Sequence, residues 1–184
     1  MGAEKAMKHG ISMNIAGGTH HAFSNKGEAF CLLNDQAIAA KYLINKKKIN
    51  KILIVDLDVH QGNGTASIFK SNNKVFTFSM HGAKNFPFKK EKSDLDIELE
   101  DNTSDEKYIN KLEEALNQLI KEVNPQFVFY LSGVDVIDTD KLGRLSLSLE
   151  GCKKKIKLSF QFVKTKKFQS NVVWVAVILK ILGL

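Results

Sequence analysis

Three short apolar runs, each followed at once by polar residues, stand out along the chain at 52–55, 75–78 and 127–131. Runs of four or five apolar residues rich in β-branched and aromatic side chains are typical of strands buried on both faces. Near the N-terminus, Ile11, Met13 and Ile15 alternate with polar neighbours, and this alternation predicts a further strand.

Helices are predicted between these strands. Asn34 is placed to cap a helix over residues 35–43, and Thr103 with Glu106 forms a predicted capping box. Pro125 ends this second helix, whose apolar face comprises Ile109, Leu112, Leu116, Leu119, Ile120 and Val123. Strands that alternate with helices predict an α/β fold, a largely parallel sheet with helices on both faces, in which ligands bind at the carboxyl ends of the strands.

Composition favours one soluble globular domain, since 184 residues can bury a sizeable core. The net charge of +7 comes from lysine runs, and Arg144 is the only arginine, so we interpret the runs as solvated faces and expect no direct nucleic-acid contact. Two cysteines form neither a metal motif nor a disulfide framework, which favours the cytoplasm, or the nucleus in a eukaryote. The apolar stretch 172–184 is broken by Lys180 and is too short to span a membrane.

The segment 56–65, Asp-Leu-Asp-Val-His-Gln-Gly-Asn-Gly-Thr, carries the clearest candidate chemistry. In an extended chain Asp56, Asp58 and His60 project to one side, and Asp135, after another buried strand, can lie in the same crevice. Carboxylate and imidazole together suit zinc or a related divalent ion. By themselves these residues also fit a magnesium-dependent phosphoryl-transfer site, a helix cap or, for Asp135, a turn cap.

Six segments in this order resemble the zinc-dependent histone deacetylase family, which also holds acetoin-utilisation proteins and acetylpolyamine amidohydrolases. They are residues 17–22, 30–35, 56–65, 79–81, 132–135 and 140–145. The resemblance spans roughly 10–151 and is closest to bacterial and class IV-like members. It implies the arginase/deacetylase-like α/β fold and disfavours phosphoryl transfer.

The resemblance also implies roles for seven polar residues. Asp58, His60 and Asp135 would bind one Zn²⁺ or Fe²⁺ ion. The paired His20 and His21 would shuttle protons, and the groups behind them would be Asp56 for the first and Asn63 for the second. If so, the chain hydrolyses an acetyl-amide by activating a water molecule.

The substrate implied by the resemblance is an acetylated lysine, a polyamine or a small acetylated amine. Gly18, Phe30 and Phe86 match substrate-binding positions, with the two aromatic rings as walls of a narrow tunnel, although simple core packing also explains most phenylalanines. A structural K⁺ or Na⁺ ion is implied as well. Its ligands would come from Asp56, Asp58, His60, Ser79 and Met80.

Two departures from the family pattern concern the ends of the chain. The chain begins close to the strand before the paired histidines, so we expect the tunnel rim and part of the sheet to be missing. Family members normally continue from the region of residues 151–154 through a helix and a strand into a Gly-Gly-Gly-Tyr turn, whose tyrosine hydroxyl stabilises the oxyanion. Residues 173–181 contain neither the glycines nor the tyrosine. We hypothesise a frameshift between Lys155 and Asn171, with 1–154 family-like and about 155–184 out of frame. The competing interpretation is a catalytically inactive remnant.

Overall fold

The computed structural model describes residues 1–165 and 169–173, which form a parallel sheet with helices on both faces. The strands are β1 (Ile11–Asn14), β2 (Ile52–Asp56), β3 (Val75–Gly82), β4 (Leu95–Leu99), β5 (Phe127–Leu131) and β6 (Gln169–Val173). The helices are α1 (Gly2–His9), α2 (Asp35–Lys47), α3 (Asn63–Phe69), α4 (Asp105–Val123) and α5 (Leu149–Thr165). All strand pairs are parallel, in the order β1-β6-β5-β2-β3-β4, and this confirms the predicted α/β class.

Alternate residues of the central strands serve two separate cores. Ile52 and Ile54 of β2 pack with residues of α1, α2 and α3, whereas Leu53 and Val55 pack with residues of α4 and α5. In β5, Phe129 likewise packs with the α1, α2 and α3 residues, whereas its neighbours Val128 and Tyr130 pack with the α4 and α5 residues. Both faces of these strands are covered, which is why their sequences are continuously apolar rather than alternating.

The chain reverses its direction of winding at β2. From β2 it passes to β3 and β4 on one side, and it then crosses over to β5 and β6 on the other. In an open parallel sheet such a reversal leaves a crevice at the carboxyl ends of the two strands that flank it. The segments that follow β2 and β5 therefore meet in one crevice, as the sequence predicts for Asp58 and Asp135.

Several predicted elements are confirmed. Asn34 caps α2 by accepting a hydrogen bond from the backbone N–H of Ala37 at 3.0 Å, although the helix continues beyond Leu43 to Lys47. Strand β1 is present but ends at Asn14, so Ile15 lies outside it. No helix of residues 1–165 or 169–173 has the length and apolar character needed to cross a bilayer.

The predicted capping box is wrong. Helix α4 begins at Asp105 after Ser104, and the Thr103 hydroxyl turns back to donate to the Glu100 carbonyl at 2.7 Å. Asp105 instead accepts from the backbone N–H and the hydroxyl of Ser148 at 2.8 and 2.5 Å, which joins the start of α4 to the start of α5.

Five elements of the described residues were not predicted: α1, α3, β4, α5 and β6. Helix α1 is short, and its apolar contribution to the core is limited to residues such as Ala3 and Ala6, which give a weak periodic signal. Strand β4 lies at the edge of the sheet, where Asp96 and Glu98 interrupt its apolar residues, so it contains no continuous apolar run.

Candidate active site

Asp58, His60 and Asp135 converge in the crevice between β2 and β5. The Nδ1 atom of His60 lies 3.0 Å from Asp58 Oδ1 and 3.1 Å from Asp135 Oδ2. One ligand atom from each of the three residues lies within 4.8 Å of the other two. Ligands bound to one zinc ion at about 2.0 Å in a tetrahedral arrangement are about 3.3 Å apart. The donor set and its spacing therefore fit a divalent cation.

The backbone holds these ligands together across the two strands. Asp135 accepts a hydrogen bond from the backbone N–H of Val59 at 3.0 Å, and Asp58 accepts from the N–H of His60 at 2.9 Å. Gly133 lies so close to Asp58 that an added Cβ would stand 2.3 Å from the Asp58 Cα. Any side chain at position 133 would push the two ligand-bearing segments apart.

The charges of this cluster favour a cation. Burial alone disfavours the imidazolium of His60, but hydrogen bonds to Asp135 and Asp58 raise its pKa to about 10. Burial and the neighbouring Asp58 carboxylate raise the pKa of Asp135. Two carboxylates forced together in a buried crevice hold positive charge strongly, and a metal ion supplies that charge better than a proton does.

The two adjacent histidines lie beside this cluster, and each is hydrogen-bonded to a different residue. His20 Nδ1 lies 2.6 Å from Asp56 Oδ2, and His21 Nδ1 lies 2.7 Å from Asn63 Oδ1. The two rings are tilted by 45° with centroids 4.0 Å apart, and His20 Nε2 is 3.9 Å from Asp58 Oδ1. Both side chains are buried, and each Nδ1 atom is held by its partner.

The pKa values of the two histidines are shifted in opposite directions. Burial alone would lower the pKa of His20, but the Asp56 carboxylate outweighs it and raises the value to about 9. Burial, together with the charge of His20, lowers the pKa of His21 to about 3. Near neutral pH His20 is therefore cationic and His21 is neutral.

A third residue, Glu28, fixes the orientation of Asn63. The Asn63 amide nitrogen donates to Glu28 Oε1 at 2.7 Å, so its carbonyl oxygen must face His21. An oxygen acceptor at this position requires the proton on His21 Nδ1 and leaves the lone pair on Nε2. Sequence reasoning missed Glu28, because an isolated glutamate in a loop carries no recognisable signal.

Loop geometry places the histidines. Gly18 adopts a φ of 78°, and its backbone N–H and that of Thr19 donate to the Asp35 carboxylate at 3.3 and 3.2 Å. The backbone N–H of Thr65 donates to the His20 carbonyl at 3.1 Å. Gly62 is required behind this pair, because a Cβ there would lie 2.3 Å from Asp56 Oδ2.

The two phenylalanines expected in the substrate tunnel are placed differently. The ring of Phe86 packs edge-on against His21 with centroids 5.0 Å apart, whereas the side chain of Phe30 is 96% exposed. Gln61 anchors the loop that carries Phe86, because its side chain donates to the Glu91 carbonyl at 2.7 Å and accepts from the Glu91 N–H at 2.9 Å.

The residues expected around a monovalent cation also lie together. Ser79 pairs in register with Asp56, and Ser79 and Met80 are both buried. The Ser79 hydroxyl lies 3.0 Å from His81 Nδ1. The K⁺ or Na⁺ ion itself stays a prediction.

The C-terminal departure falls largely outside the described residues. Val173 ends β6, and residues 174–184, where the tyrosine-containing turn was expected, are not among the residues that the structure describes. The frameshift hypothesis and the boundary near residue 155 therefore stay predictions.

Comparisons with known proteins identify the family. The histone deacetylase domain model matches residues 1–176. An uncharacterised protein of Picosynechococcus sp. is 48% identical over 149 residues, which are 81% of this chain and 50% of that protein. Histone deacetylase 2 of Arabidopsis thaliana is 31% identical over 169 residues, covering 90% of this chain and 44% of that protein. The acetoin utilization protein AcuC of Staphylococcus aureus is 30% identical over 148 residues, covering 74% and 38%.

The chain thus spans about half the length of the curated relatives it matches. The family model covers all of the described residues, including every polar residue placed above in the crevice. This chain belongs to the histone deacetylase family.

Proposed function

We propose that this chain forms the metal and proton-transfer site of a deacetylase that hydrolyses an acetyl-amide. The observation that carries the proposal is the convergence of the Asp58, His60 and Asp135 ligand set with two buried histidines in one crevice. A Zn²⁺ or Fe²⁺ ion bound by the three ligands would polarise the acetyl carbonyl and acidify a water molecule. We also propose that a structural K⁺ or Na⁺ ion binds near Asp56 and Ser79.

The two histidines divide the proton transfers in this proposal. His21, neutral with its lone pair on Nε2, accepts the proton of the attacking water. His20, kept cationic by Asp56, stabilises the negative charge that develops and donates a proton to the departing amine. Opposite protonation states allow the two transfers to proceed without rearrangement between them.

The proposed substrate is an acetylated lysine side chain, an acetylated polyamine or a small acetylated amine. Phe86 supports this choice, because its ring stands edge-on to His21 and offers an apolar wall beside the reacting group. An acetylated amine is neutral at its reacting end and can pass such a wall. The exposed Phe30 requires a substrate or a neighbouring segment to cover it before it can act as the opposite wall.

The test combines metal binding with turnover. We compare the wild-type chain with Asp58→Asn and with Glu113→Gln, which makes the same change of carboxylate to amide on the exposed face of α4. After dialysis against zinc and then buffer, we expect about one zinc per chain in the wild type and Glu113→Gln and much less in Asp58→Asn. Release of acetate from acetyl-lysine peptides and acetylated polyamines should follow the same order. Equal zinc content in all three proteins would overturn the proposed metal site.

A second candidate, a metal-binding chain without turnover, is favoured by one sequence observation. Residues 173–181 contain no tyrosine to stabilise the oxyanion, and losing one such donor typically costs about 10²–10³ in rate. Stoichiometric zinc in the wild type with acetate release no faster than in Asp58→Asn would select this candidate. Acetate release that depends on Asp58 would exclude it.

A further inference from the structure

Lys155 of α5 is a fully buried lysine whose charge is held by main-chain carbonyl groups. Its side chain is 0% exposed, and its Nζ donates to the carbonyl oxygens of Leu57 at 3.3 Å, of Ser132 at 2.5 Å and of Gly133. No ion pair among the described residues includes Lys155. A buried ammonium is costly unless each of its protons is bound, and here three acceptors match its three donors.

The three carbonyl groups belong to the segments that carry the proposed metal ligands. Leu57 directly precedes Asp58, and Gly133 stands two residues before Asp135. The ladder between β2 and β5 ends at the pair Asp56 and Leu131, and its last rung runs from Leu57 N–H to the Leu131 carbonyl at 3.0 Å. Beyond this rung the two segments turn toward each other, so their carbonyl groups lose regular strand partners.

The Lys155 ammonium group therefore supplies the hydrogen bonds that the strand ladder no longer provides. Carbonyl oxygens that converge in a buried space repel one another and need donors. Lys155 supplies these donors from the α4 and α5 side of the sheet, where Leu57 also packs. Asp135, Asp58 and Asp56 all lie close enough for their charges to act on the ammonium.

We propose that Lys155 is a positioning residue that holds the Asp58 and Asp135 segments at the separation a divalent cation requires. The inference rests on the metal site proposed above. In this role the Lys155 side chain binds the backbone behind the ligands and so holds the site in its binding geometry before the metal arrives.

Lys90 offers a matched control elsewhere in the fold. Its Nζ also donates to three main-chain carbonyl groups, those of Ala83 at 3.1 Å, Asn85 at 2.7 Å and Pro87 at 2.6 Å. None of these residues adjoins Asp58, His60 or Asp135 in the chain. Replacing either lysine by methionine removes one charge and three hydrogen bonds, but only one replacement disturbs the ligand segments.

The experiment measures metal affinity and unfolding in wild type, Lys155→Met and Lys90→Met. Zinc affinity is measured by competition with a chelator, ligand geometry by the visible absorption of the Co²⁺ form, and stability by urea unfolding of the metal-free proteins. We expect both variants to unfold at lower urea, while Lys155→Met alone binds zinc about 10–100-fold more weakly, as is typical when support behind a ligand is lost. The Co²⁺ spectrum should change in Lys155→Met and stay unchanged in Lys90→Met.

Other outcomes separate the two proposals. A wild-type chain that binds no zinc would contradict the proposed function, whereas tight binding by the wild type and equally tight binding by Lys155→Met would overturn the role of Lys155. If Lys155→Met does not fold, Lys155→Gln, which retains an amide donor, is judged by the same affinity ratio. Failure of both variants to fold even with excess zinc would assign Lys155 to stability alone and would also overturn the proposal.

Discussion

The two adjacent histidines have the same side chain, similar burial and almost the same position, yet they differ in charge. His20 is backed by the Asp56 carboxylate and His21 by the Asn63 amide, at nearly equal distances of 2.6 and 2.7 Å. The pKa of the first is raised to about 9 and that of the second is lowered to about 3. The comparison teaches that the charge of the supporting group, a carboxylate or a neutral amide, decides which histidine holds a second proton.

The largest expected effect comes from making both partners amides with Asp56→Asn. His20 then loses the carboxylate that does most to stabilise its imidazolium, so its pKa should fall, with burial lowering it and the Asp58 and Asp135 charges still raising it. Because proton transfer by a positioned side chain contributes about 10²–10⁴ in rate, we expect acetate release to drop by about 10²–10³. NMR titration of the histidine ring protons measures the pKa change, and Glu113→Gln is the control. An unchanged titration of His20 would show that Asp56 does not set its charge.

The pH dependence of stability should show the two histidines acting with opposite signs in the metal-free chain. The His20 pKa is higher folded than unfolded, so its contribution is complete below pH 6.5 and is lost as the pH rises through about 9. The His21 pKa is lower folded than unfolded, so stability is lost as the pH falls from 6.5 toward 3. Each change should be on the order of 1–3 kcal/mol in the free energy of unfolding.

Urea unfolding from pH 5 to pH 9.5 measures this dependence. His60 adds a loss of the same sign as His20 at high pH, so the His20 part is the difference between wild type and Asp56→Asn. A difference that is flat between pH 6.5 and 9 would contradict the raised pKa of His20.

A smaller effect is expected when both partners become carboxylates with Asn63→Asp. The new charge should raise the pKa of His21, and the Glu28 carboxylate, 2.7 Å from the present amide nitrogen, acts on this pKa in the same direction. We expect the pKa of His21 to rise against the effect of burial, with about a tenfold change in rate. The double variant Asn63→Asp with Glu28→Gln removes one of these two negative charges, so its His21 pKa should be lower than in the single variant. If the single and double variants titrate alike, Glu28 does not act on this pair.

The smallest effect is expected for Glu28→Gln alone. The new amide at position 28 can still accept a hydrogen bond from Asn63, but it can also turn and offer its own N–H. The Asn63 amide is then less strongly held with its oxygen toward His21. We expect a few-fold loss of rate with little change in stability, because Glu28 is partly exposed. The ¹⁵N shifts of His21 report the Nδ1–H tautomer. A purely Nδ1–H population in the variant would show that Glu28 does not set this tautomer.

How much could be predicted from the sequence differs between elements. Strands β2, β3 and β5 were predictable because strands covered on both faces must be continuously apolar, and α2 because Asn34 is a strong cap. Strand β4 and helix α1 were not, because an edge strand and a short alanine-faced helix bury few large side chains. The predicted cap at Thr103 failed because the Thr103 hydroxyl donates to the Glu100 carbonyl and the helix begins one residue later than the box requires.

The candidate site divides in the same way. Asp56, Asp58 and His60 could be grouped from their alternate spacing, since Leu57 and Val59 between them are buried in the α4 and α5 core. Glu28 and Lys155 could not be found, because each acts on a residue far away in the chain, at Asn63 and at Gly133. Phe30 matches the family pattern but is exposed in the structure.

The sequence by itself determined the α/β class, through local periodicity, and the family, through its motifs, and it predicted the candidate metal ligands. Only the tertiary structure decided that the Val59 N–H joins Asp135 to the Asp58 segment, that Glu28 orients the Asn63 amide and that Lys155 lies behind the Asp58 and Asp135 segments. The physical reason is that hydrogen bonds and charges act over a few ångströms of space. Residues separated by many positions come within that range only when the sheet has assembled.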